Sequence, residues 1–355
     1  MKGLSLKHLI SIDIGSFNTK IAVGGFEKGR LNIDKMFAFD TNQGSMMDGK
    51  LISVDGKSDA LRSSIVQALN DHKVRNKNTI FTVQSTSIIR RDLDIPHVKQ
   101  NEMESMIRFE IEQYLPIDLN EYIIEYKVLE EKQDNKLRIL IAALPKEIAE
   151  DYLEITHKMN LEPKALDINS NAVSKLFGIK QQINDHAYNL ENTAAFIDMG
   201  CSNINISILS KGLFQFSRLI PTGGKELTSA IAEAYGMTME EAEKKKRSSI
   251  NLNNGAGFHD DAVLDEMVRN IVFRWTEEIQ RVFQFYKTRN ANNDINEVYI
   301  YGGTSNLRGI AEYMENTWNL PTRKIKSLSS VTFGKDMDDI GLEYYLNTIG
   351  AIIRK

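Results

Sequence analysis

Two stretches carry residue types that could hold a charged ligand. The first is Ile12-Asp13-Ile14-Gly15-Ser16-Phe17-Asn18-Thr19-Lys20; the second, about 185 residues further on, is Ile197-Asp198-Met199-Gly200-Cys201-Ser202-Asn203-Ile204-Asn205. In each, an apolar run (Leu9 to Ile14, Ala194 to Met199) meets Asp, then Gly, then a small polar turn, and a second apolar run follows directly. That is the pattern of strand, tight turn and strand. Small turn residues leave backbone N–H groups bare, and such groups cradle phosphate oxygens. Asp13 and Asp198 would repel a polyphosphate unless a cation intervenes. Mg²⁺ meets that objection, because it binds through one or two carboxylates, water and the phosphates themselves. One Asp-x-Gly turn is ordinary hairpin chemistry. Its return after one domain's length points to two similar halves holding one nucleotide between them.

A third candidate is Gly302-Gly303-Thr304-Ser305-Asn306, at the end of the strand Glu297 to Tyr301 and ahead of Leu307-Arg308-Gly309-Ile310. Two glycines let a ligand lie against the backbone, and a helix N-terminus behind them would offer N–H groups to an anion. Lys20 opens the second strand of the first hairpin, either as a phosphate-facing ammonium or as a surface lysine on a strand end. Cys201, the single cysteine, reads as a small turn residue. It excludes a disulfide framework and a cysteine-rich metal site, and suits a reducing compartment. His157, His186 and His259 have no ligand spacing.

The elements that must position these residues follow from periodicity. Lys20 to Phe26, Leu31 to Ile33 and Met36 to Phe39 extend the first hairpin into a three-stranded meander, and Leu61, Ile65, Val66 and Leu69 mark a helix capped from Ser58 or Asp59. A distinct segment begins near Thr79: strands at 80–83 and 88–95, a helix from Asn101 to Leu115, strands at 122–128 and 137–144, and a helix from Glu147 to Met159. The helix 101–115 carries Met103, Met106, Ile107, Phe109, Ile111, Tyr114 and Leu115, which serve either as subdomain core or as a peptide groove. Ser170 to Phe177 is a helix in which Ala172 permits close packing. Leu213 to Ile220 completes a second meander, and Glu226–Tyr235, Glu240–Arg247 and Val263–Lys287 are helical. Polar loops follow at 251–261 and 290–296, and Gly350-Ala351 sits at a close crossing in the last helix.

A chain of 355 residues with 42% apolar and 26% charged residues is globular and large enough for several domains. Its net charge of −4 argues against a nucleic-acid role; Lys244-Lys245-Lys246-Arg247 falls in a helical pattern and reads as a solvated face. No apolar run approaches membrane-spanning length, and Met1 to Leu9 has no signal-peptide core, so a cytoplasmic chain with only an indirect membrane link is expected.

The order of the Asp13 turn, the Ala172 helix, the Asp198 turn, the Gly302-Gly303 strand end and the Gly350-Ala351 helix resembles the nucleotide-site motifs of the actin, sugar kinase and heat-shock chaperone superfamily. The inserted segment resembles the cell-division branch of FtsA. Glu110-x-Glu112-Gln113-Tyr114-Leu115-Pro116-Ile117, with the strand that follows, is similar to the PilM family of type IV pilus assembly. The resemblance implies an actin-like (ribonuclease H-like) two-lobed α/β fold with a small α/β subdomain inserted in the first lobe. Its divisions are 1–80 and 163–190 (subdomain 1A), 81–162 (1C), 191–228 and 295–355 (2A) and 229–294 (2B).

It further implies ATP and Mg²⁺ as ligands. Ser16, Phe17, Asn18 and Lys20 face the phosphates from one turn, and Gly200, Cys201, Ser202 and Asn203 from the other. Asp13 and Asp198 hold Mg²⁺ through water. Gly302, Gly303, Thr304 and Leu307 line the adenosine site, with Glu243 accepting a hydroxyl and Lys246 packing as a cation. Asn171 stands where related enzymes orient water; it is no base, so slow or absent hydrolysis is expected. The implied partner is the N-terminal cytoplasmic peptide of PilN, which would hold the chain at the inner face of the membrane within the pilus assembly complex. Two rivals share the fold. A small-molecule kinase needs a carboxylate base that no stretch clearly supplies. A filament-forming FtsA-like division protein needs an amphipathic tail, and Ile352-Ile353-Arg354-Lys355 is too short for one.

Overall fold

The computed structural model describes residues 8–53, 56–114, 118–132, 134–253, 261–289, 294–334, 337 and 341–354. Leu115, Pro116 and Ile117 of the Glu-Gln-Tyr-Leu-Pro-Ile stretch, much of the loop 251–261, residues 290–293 and Lys355 lie outside them.

Leu9–Ile14 (β1), Asn18–Glu27 (β2) and Arg30–Asp40 (β3) form an antiparallel meander, followed by the short ribbon of Met46–Met47 (β4) and Lys50–Leu51 (β5). Helix Lys57–Asp71 (α1) starts from Gly56 in the left-handed region, φ 70°, rather than from a Ser58 or Asp59 cap. Asn78–Val83 (β6) then pairs parallel to β1. This strand, expected to open the inserted segment, is an inner strand of the first sheet. Its continuous buried run Thr79 to Val83 fits a parallel strand covered on both faces.

The inserted unit itself is Ile89–Pro96 (β7), Gln100–Tyr114 (α2), Tyr122–Glu131 (β8) and Lys136–Pro145 (β9), in the antiparallel order β7-β9-β8. Met103, Ile107 and Ile111 of α2 pack on Ile95, Leu137, Ile139 and Ile141, so the helical stripe is core. Lys146–Lys158 (α3) turns away from that sheet. Its Ile148, Tyr152 and Ile155 join Ile65, Phe81 and Leu61 in the first lobe's core. Period-3.6 patterning identifies a buried face without saying which sheet receives it.

Glu162–Ile168 (β10) completes the first sheet beside β6, and Asn169–Phe177 (α4) leaves it. After the ribbon Gln182–Ile183 (β11) and His186–Ala187 (β12), the second lobe repeats the plan. Thr193–Met199 (β13), Ile204–Ser210 (β14) and Leu213–Ile220 (β15) form its meander. Helices Gly224–Tyr235 (α5), Met239–Ser249 (α6, opened by a Thr238/Glu241 capping box) and Ala262–Arg289 (α7) cover one face. Glu297–Tyr301 (β16), Ile310–Trp318 (α8) and Thr322–Lys324 (β17) follow, then Val331–Phe333 (β18) on the edge of the first sheet and Leu346–Ile352 (α9).

Apart from the extra edge strand β18, the sheet orders β10-β6-β1-β2-β3-β18 and β15-β14-β13-β16-β17 are the same five-strand arrangement twice, read from opposite ends. Asp13 pairs with Lys20 in the first hairpin and Asp198 with Asn205 in the second, the same register at the same offset. Between the sheets lies one shared core. Phe177 of α4 stacks on Phe196, centroids 4.0 Å apart, and Phe196 stacks on Tyr299. The two positions singled out for close packing meet each other here: a Cβ on Gly350 would lie 2.4 Å from the Ala172 carbonyl oxygen.

Candidate functional site

The two hairpin turns close identically. The Gly15 N–H donates to the Asn18 carbonyl at 3.1 Å, and the Gly200 N–H to that of Asn203 at 2.9 Å. In either turn a Cβ on the glycine would stand 2.8 Å from that same carbonyl oxygen, so only glycine fits without a shift. The turns face each other across the cleft and touch at their tips, where the Ser202 hydroxyl donates to Ser16 Oγ at 2.7 Å. The Lys20 ammonium lies 3.9 Å from Asp13 Oδ2 and 3.4 Å from the Asn18 carbonyl, directed back at the turn. Asn18 donates to Asp40 at 2.7 Å, and Phe17 is exposed at the rim.

The second turn is bolted to its surroundings. The Gly200 carbonyl accepts from the Gly224 N–H at 3.0 Å and from Thr304 Oγ1 at 2.8 Å, and the Cys201 carbonyl accepts from the Lys225 N–H at 2.8 Å. A Cβ on Gly224 would lie 2.4 Å from Thr304 Oγ1. Buried Lys246 reaches the same place, 3.3 Å from the Gly224 carbonyl and 2.9 Å from Thr228 Oγ1. It also pairs with Glu243 Oε2 at 2.5 Å, while Arg247 Nε donates to Glu243 Oε1 at 2.8 Å. Burial alone would push the Glu243 carboxyl up, but these bonds prevail and hold it below the usual glutamate range.

Gly302 adopts φ 86°, and a Cβ there would stand 2.4 Å from Asp198 Oδ1. This is a position that needs glycine on both counts. Behind it is a single 3₁₀ turn, Gly303–Asn306; α8 begins only at Ile310, after Gly309 at φ 79°. The helix expected directly behind the glycines is thus displaced, because Gly309 breaks the chain direction first. Gly303 is open, since the nearest atom to a methyl placed on it would be Tyr344 Cε1 at 3.6 Å, whereas Leu307 is buried in the second lobe's core. Asp198 accepts from Asn347 Nδ2 at 2.8 Å. Burial raises its pKa to about 6; the Asn347 bond works against that rise and Asp13 adds to it.

Asn171 donates its amide to Asp167 Oδ1 at 2.7 Å, within a network in which Lys175 bonds Asp167 at 2.6 Å. Sequence reading missed Gly223-Gly224, Asn347, Asn205 and Arg247. The repeat itself could have found Asn205, which occupies in the second hairpin the place Lys20 holds in the first.

The site fits a nucleotide with its cation. Asn205 is 2% exposed, yet neither its amide nitrogen nor its amide oxygen has a hydrogen-bond partner, and the hydroxyls of Ser207, Ser11 and Thr82 are likewise unmet. By register Ser11, Asp13, Thr82 and Lys20 share one face of the first sheet, and Asp198, Asn205 and Ser207 one face of the second. Buried polar atoms without partners call for water or a polar ligand. Among the described residues no group of three or more His, Cys, Asp or Glu could hold a metal. A pair of carboxylates suits Mg²⁺ whose other ligands are water and phosphate.

Residues 11–347 match the family described as type IV pilus assembly protein PilM. The cell division protein FtsA of Bacillus subtilis is 22% identical over 280 residues, 73% of this chain and 60% of that relative, so the chain spans well under two thirds of its length. A solved PilM-PilN type IV pilus biogenesis complex has a chain that superposes with a TM-score of 0.81 at 19% identity, covering 98% of both chains. MreB5 of Spiroplasma citri bound to AMPPNP superposes at 0.51 with 13% identity, covering 98% of this chain and 95% of that one. The fold is the actin-like two-lobed α/β fold, with the small sheet inserted in the first lobe.

Proposed function

Because the chain belongs to the PilM family of type IV pilus assembly proteins, we propose that it is an ATP-binding scaffold of the pilus machinery that docks the N-terminal cytoplasmic segment of PilN. The observation that carries the nucleotide half is the pair of matched turns meeting at Ser16 and Ser202 above unpartnered buried Asn205. Ser16, Asn18, Lys20, Cys201, Ser202 and Asn203 would hold the phosphates, and Asp13 and Asp198 the water shell of Mg²⁺, which when bound neutralises phosphate charge. Gly303 and Thr304 would border the nucleoside, with Glu243 on its hydroxyls. A solved relative bound to AMPPNP supports this reading. Titration calorimetry tests it: Gly303→Val, which meets little in the protein itself, is expected to keep wild-type stability and lose Mg-ATP binding. Wild-type affinity in that variant would remove Gly303 from the site.

The PilN half rests on the inserted unit. Its helix stripe is core, but Phe109, Ile123, Tyr126 and Val128 remain exposed, three of them on β8, which among the described residues is an edge strand paired with β9 alone. An extended apolar segment suits an edge strand with alternating side-chain contacts. Among the described residues no helix is long and apolar enough to cross a membrane, and docking to a membrane-anchored partner would bring a cytoplasmic chain to the membrane's inner face. Fluorescence anisotropy with a labelled PilN N-terminal peptide is expected to show binding to wild type and at least about tenfold weaker binding to Ile123→Asp or Val128→Asp. Equal affinity for all three proteins would move the docking site off β8.

A further inference from the structure

Beyond the hairpins themselves, one side chain crosses from lobe to lobe at the cleft mouth. Arg247 on α6 places its guanidinium 5.9 Å from the ring centroid of Phe17 at the tip of the first hairpin. Arg247 is held from behind, since its Nε bonds Glu243, and Glu243 is in turn fixed by buried Lys246 and by Thr228 Oγ1 at 2.8 Å. Phe17 is held as well. Its carbonyl accepts from the Thr41 N–H at 2.8 Å, and the next residue bonds Asp40. Beside this strap stands the Ser202–Ser16 hydrogen bond, also between lobes. At the opposite end the lobes are joined by the packed crossing of α4 and α9 and the shared core. A third tie lies away from the mouth, where Arg138 of the inserted unit donates to Gln215 on β15 at 2.7 Å. Among the described residues, lobes joined firmly at the base and touching at the tips through these two side-chain contacts form a hinge with a clasp.

We propose that Arg247 is a positioning residue which, with Phe17, clasps the cleft mouth and sets how fast nucleotide enters and leaves. The proposal rests on the reading that nucleotide lies between the turns. Phosphate arriving there takes over the Ser16 and Ser202 hydroxyls. The Phe17–Arg247 strap uses the exposed ring at the turn's tip and neither of those hydroxyls, and an aromatic ring under a guanidinium is worth a modest attraction at an exposed site. A contact made in the closed state and broken in the open state slows both passage steps.

Stopped-flow binding and release of a fluorescent anthraniloyl-ATP with Mg²⁺ tests this in wild type, Phe17→Leu, Arg247→Gln and the double variant. Each single variant is expected to raise the release rate about three- to fivefold, and the double variant to match the singles rather than their product, because the two side chains act through one contact. Multiplicative effects, or unchanged rates in either single variant, would overturn the clasp. Distance distributions between spin labels at Lys28 and Lys244, recorded without nucleotide, give the second readout. The variants are expected to broaden toward longer distances, and identical distributions in all four proteins would also overturn it. If wild type bound no nucleotide the functional reading would fail, and the label distances alone would decide the clasp.

Discussion

The two hairpins have one backbone and two environments. Both turns close through the same hydrogen bond, and both glycines are hemmed in by the same carbonyl at the same 2.8 Å. Yet Asp13 faces a lysine across its strand pair, whereas Asp198 faces Asn205 and leans on Asn347. The first turn leaves Ser16 and Phe17 exposed at the cleft mouth, against Ser202 and Arg247 of the other lobe. The second is fastened from behind by α5 and by Thr304. A repeated scaffold thus carries an Asp–Lys pair tied to β3 in one turn and an Asp–Asn pair tied to α5 and Thr304 in the other. Preorganised groups that need no rearrangement bind charge best, and the second turn, with two of its carbonyls committed to α5 and Thr304, is the more preorganised of the two.

The sharpest way to break this comparison is to place the same methyl in both turns. Gly200→Ala drives a Cβ at the Asn203 carbonyl in a turn whose own carbonyls are already committed to α5 and Thr304, and overpacking of that kind costs about 1–3 kcal/mol. Gly15→Ala meets the equivalent carbonyl, but its other near neighbour is the flexible end of Lys20, and its turn is exposed. There the expected cost is about 0.5 kcal/mol. Urea unfolding of both variants measures the difference, and equal losses would show that the two turns are equally rigid.

A somewhat smaller effect separates the two aspartates. With its pKa raised to about 6 by burial, Asp198 is neutral below that pH and charged above it. A raised acid pKa contributes stability that is fully present below the ordinary aspartate value and is lost as pH rises through about 6. Asp198→Asn keeps an acceptor for Asn347 and removes the buried charge. It should therefore raise the melting temperature by a few degrees at pH 8, change it little at pH 4, and weaken Mg-ATP binding at pH 8. In wild type, Mg-ATP affinity should fall as pH drops through about 6, a dependence the variant loses. A variant with wild-type pH dependence of binding would transfer that role to another group.

Much of this was legible in the chain. Repetition of Asp-x-Gly between apolar runs is enough to specify two hairpins, and Ala172 with Gly350-Ala351 marks the crossing that joins the lobes, because close approach of helices demands small residues wherever it occurs. What stayed hidden is partner choice at a distance. The pattern of β6 shows a strand buried on both faces but not that β1 and β10 flank it, and α3 shows an apolar stripe but not the sheet that receives it. By pattern alone Glu243 and Arg247 look like solvated helix residues; the family resemblance picks out Glu243, whereas the place of Arg247 beside Phe17 follows only from the fold. Asn347 could not be found at all, since a polar residue in an apolar helix has no local signature of the carboxylate it meets.

The smallest expected effect on function lies at Asn171, where the chain's comparison with turnover enzymes is sharpest. In the fold its amide nitrogen is occupied by Asp167, a carboxylate that also takes Lys175 at 2.6 Å and lies 3.6 Å from Arg354, while Lys175 bonds the Ile353 carbonyl at 2.7 Å. That network ties α4 to the end of α9 at the base of the cleft. Burial lowers the Lys175 pKa, and Asp167 opposes the shift, as for a buried pair whose members depend on each other. Asn171→Ala removes one hydrogen bond to a charged group, about 1.5–3 kcal/mol of stability, and leaves Asp167 paired. Its ATP turnover, expected to lie below about 1 per second already in wild type, should then stay within about twofold. Asn171→Glu sets a second carboxylate against Asp167 and should lose stability without gaining rate. A steady-state phosphate-release assay decides: a drop of about a hundredfold in Asn171→Ala, the usual cost of losing a group that acts on the attacking water, would return this residue to the reaction and make the first lobe's helix, rather than the hairpins alone, a part of the chemistry.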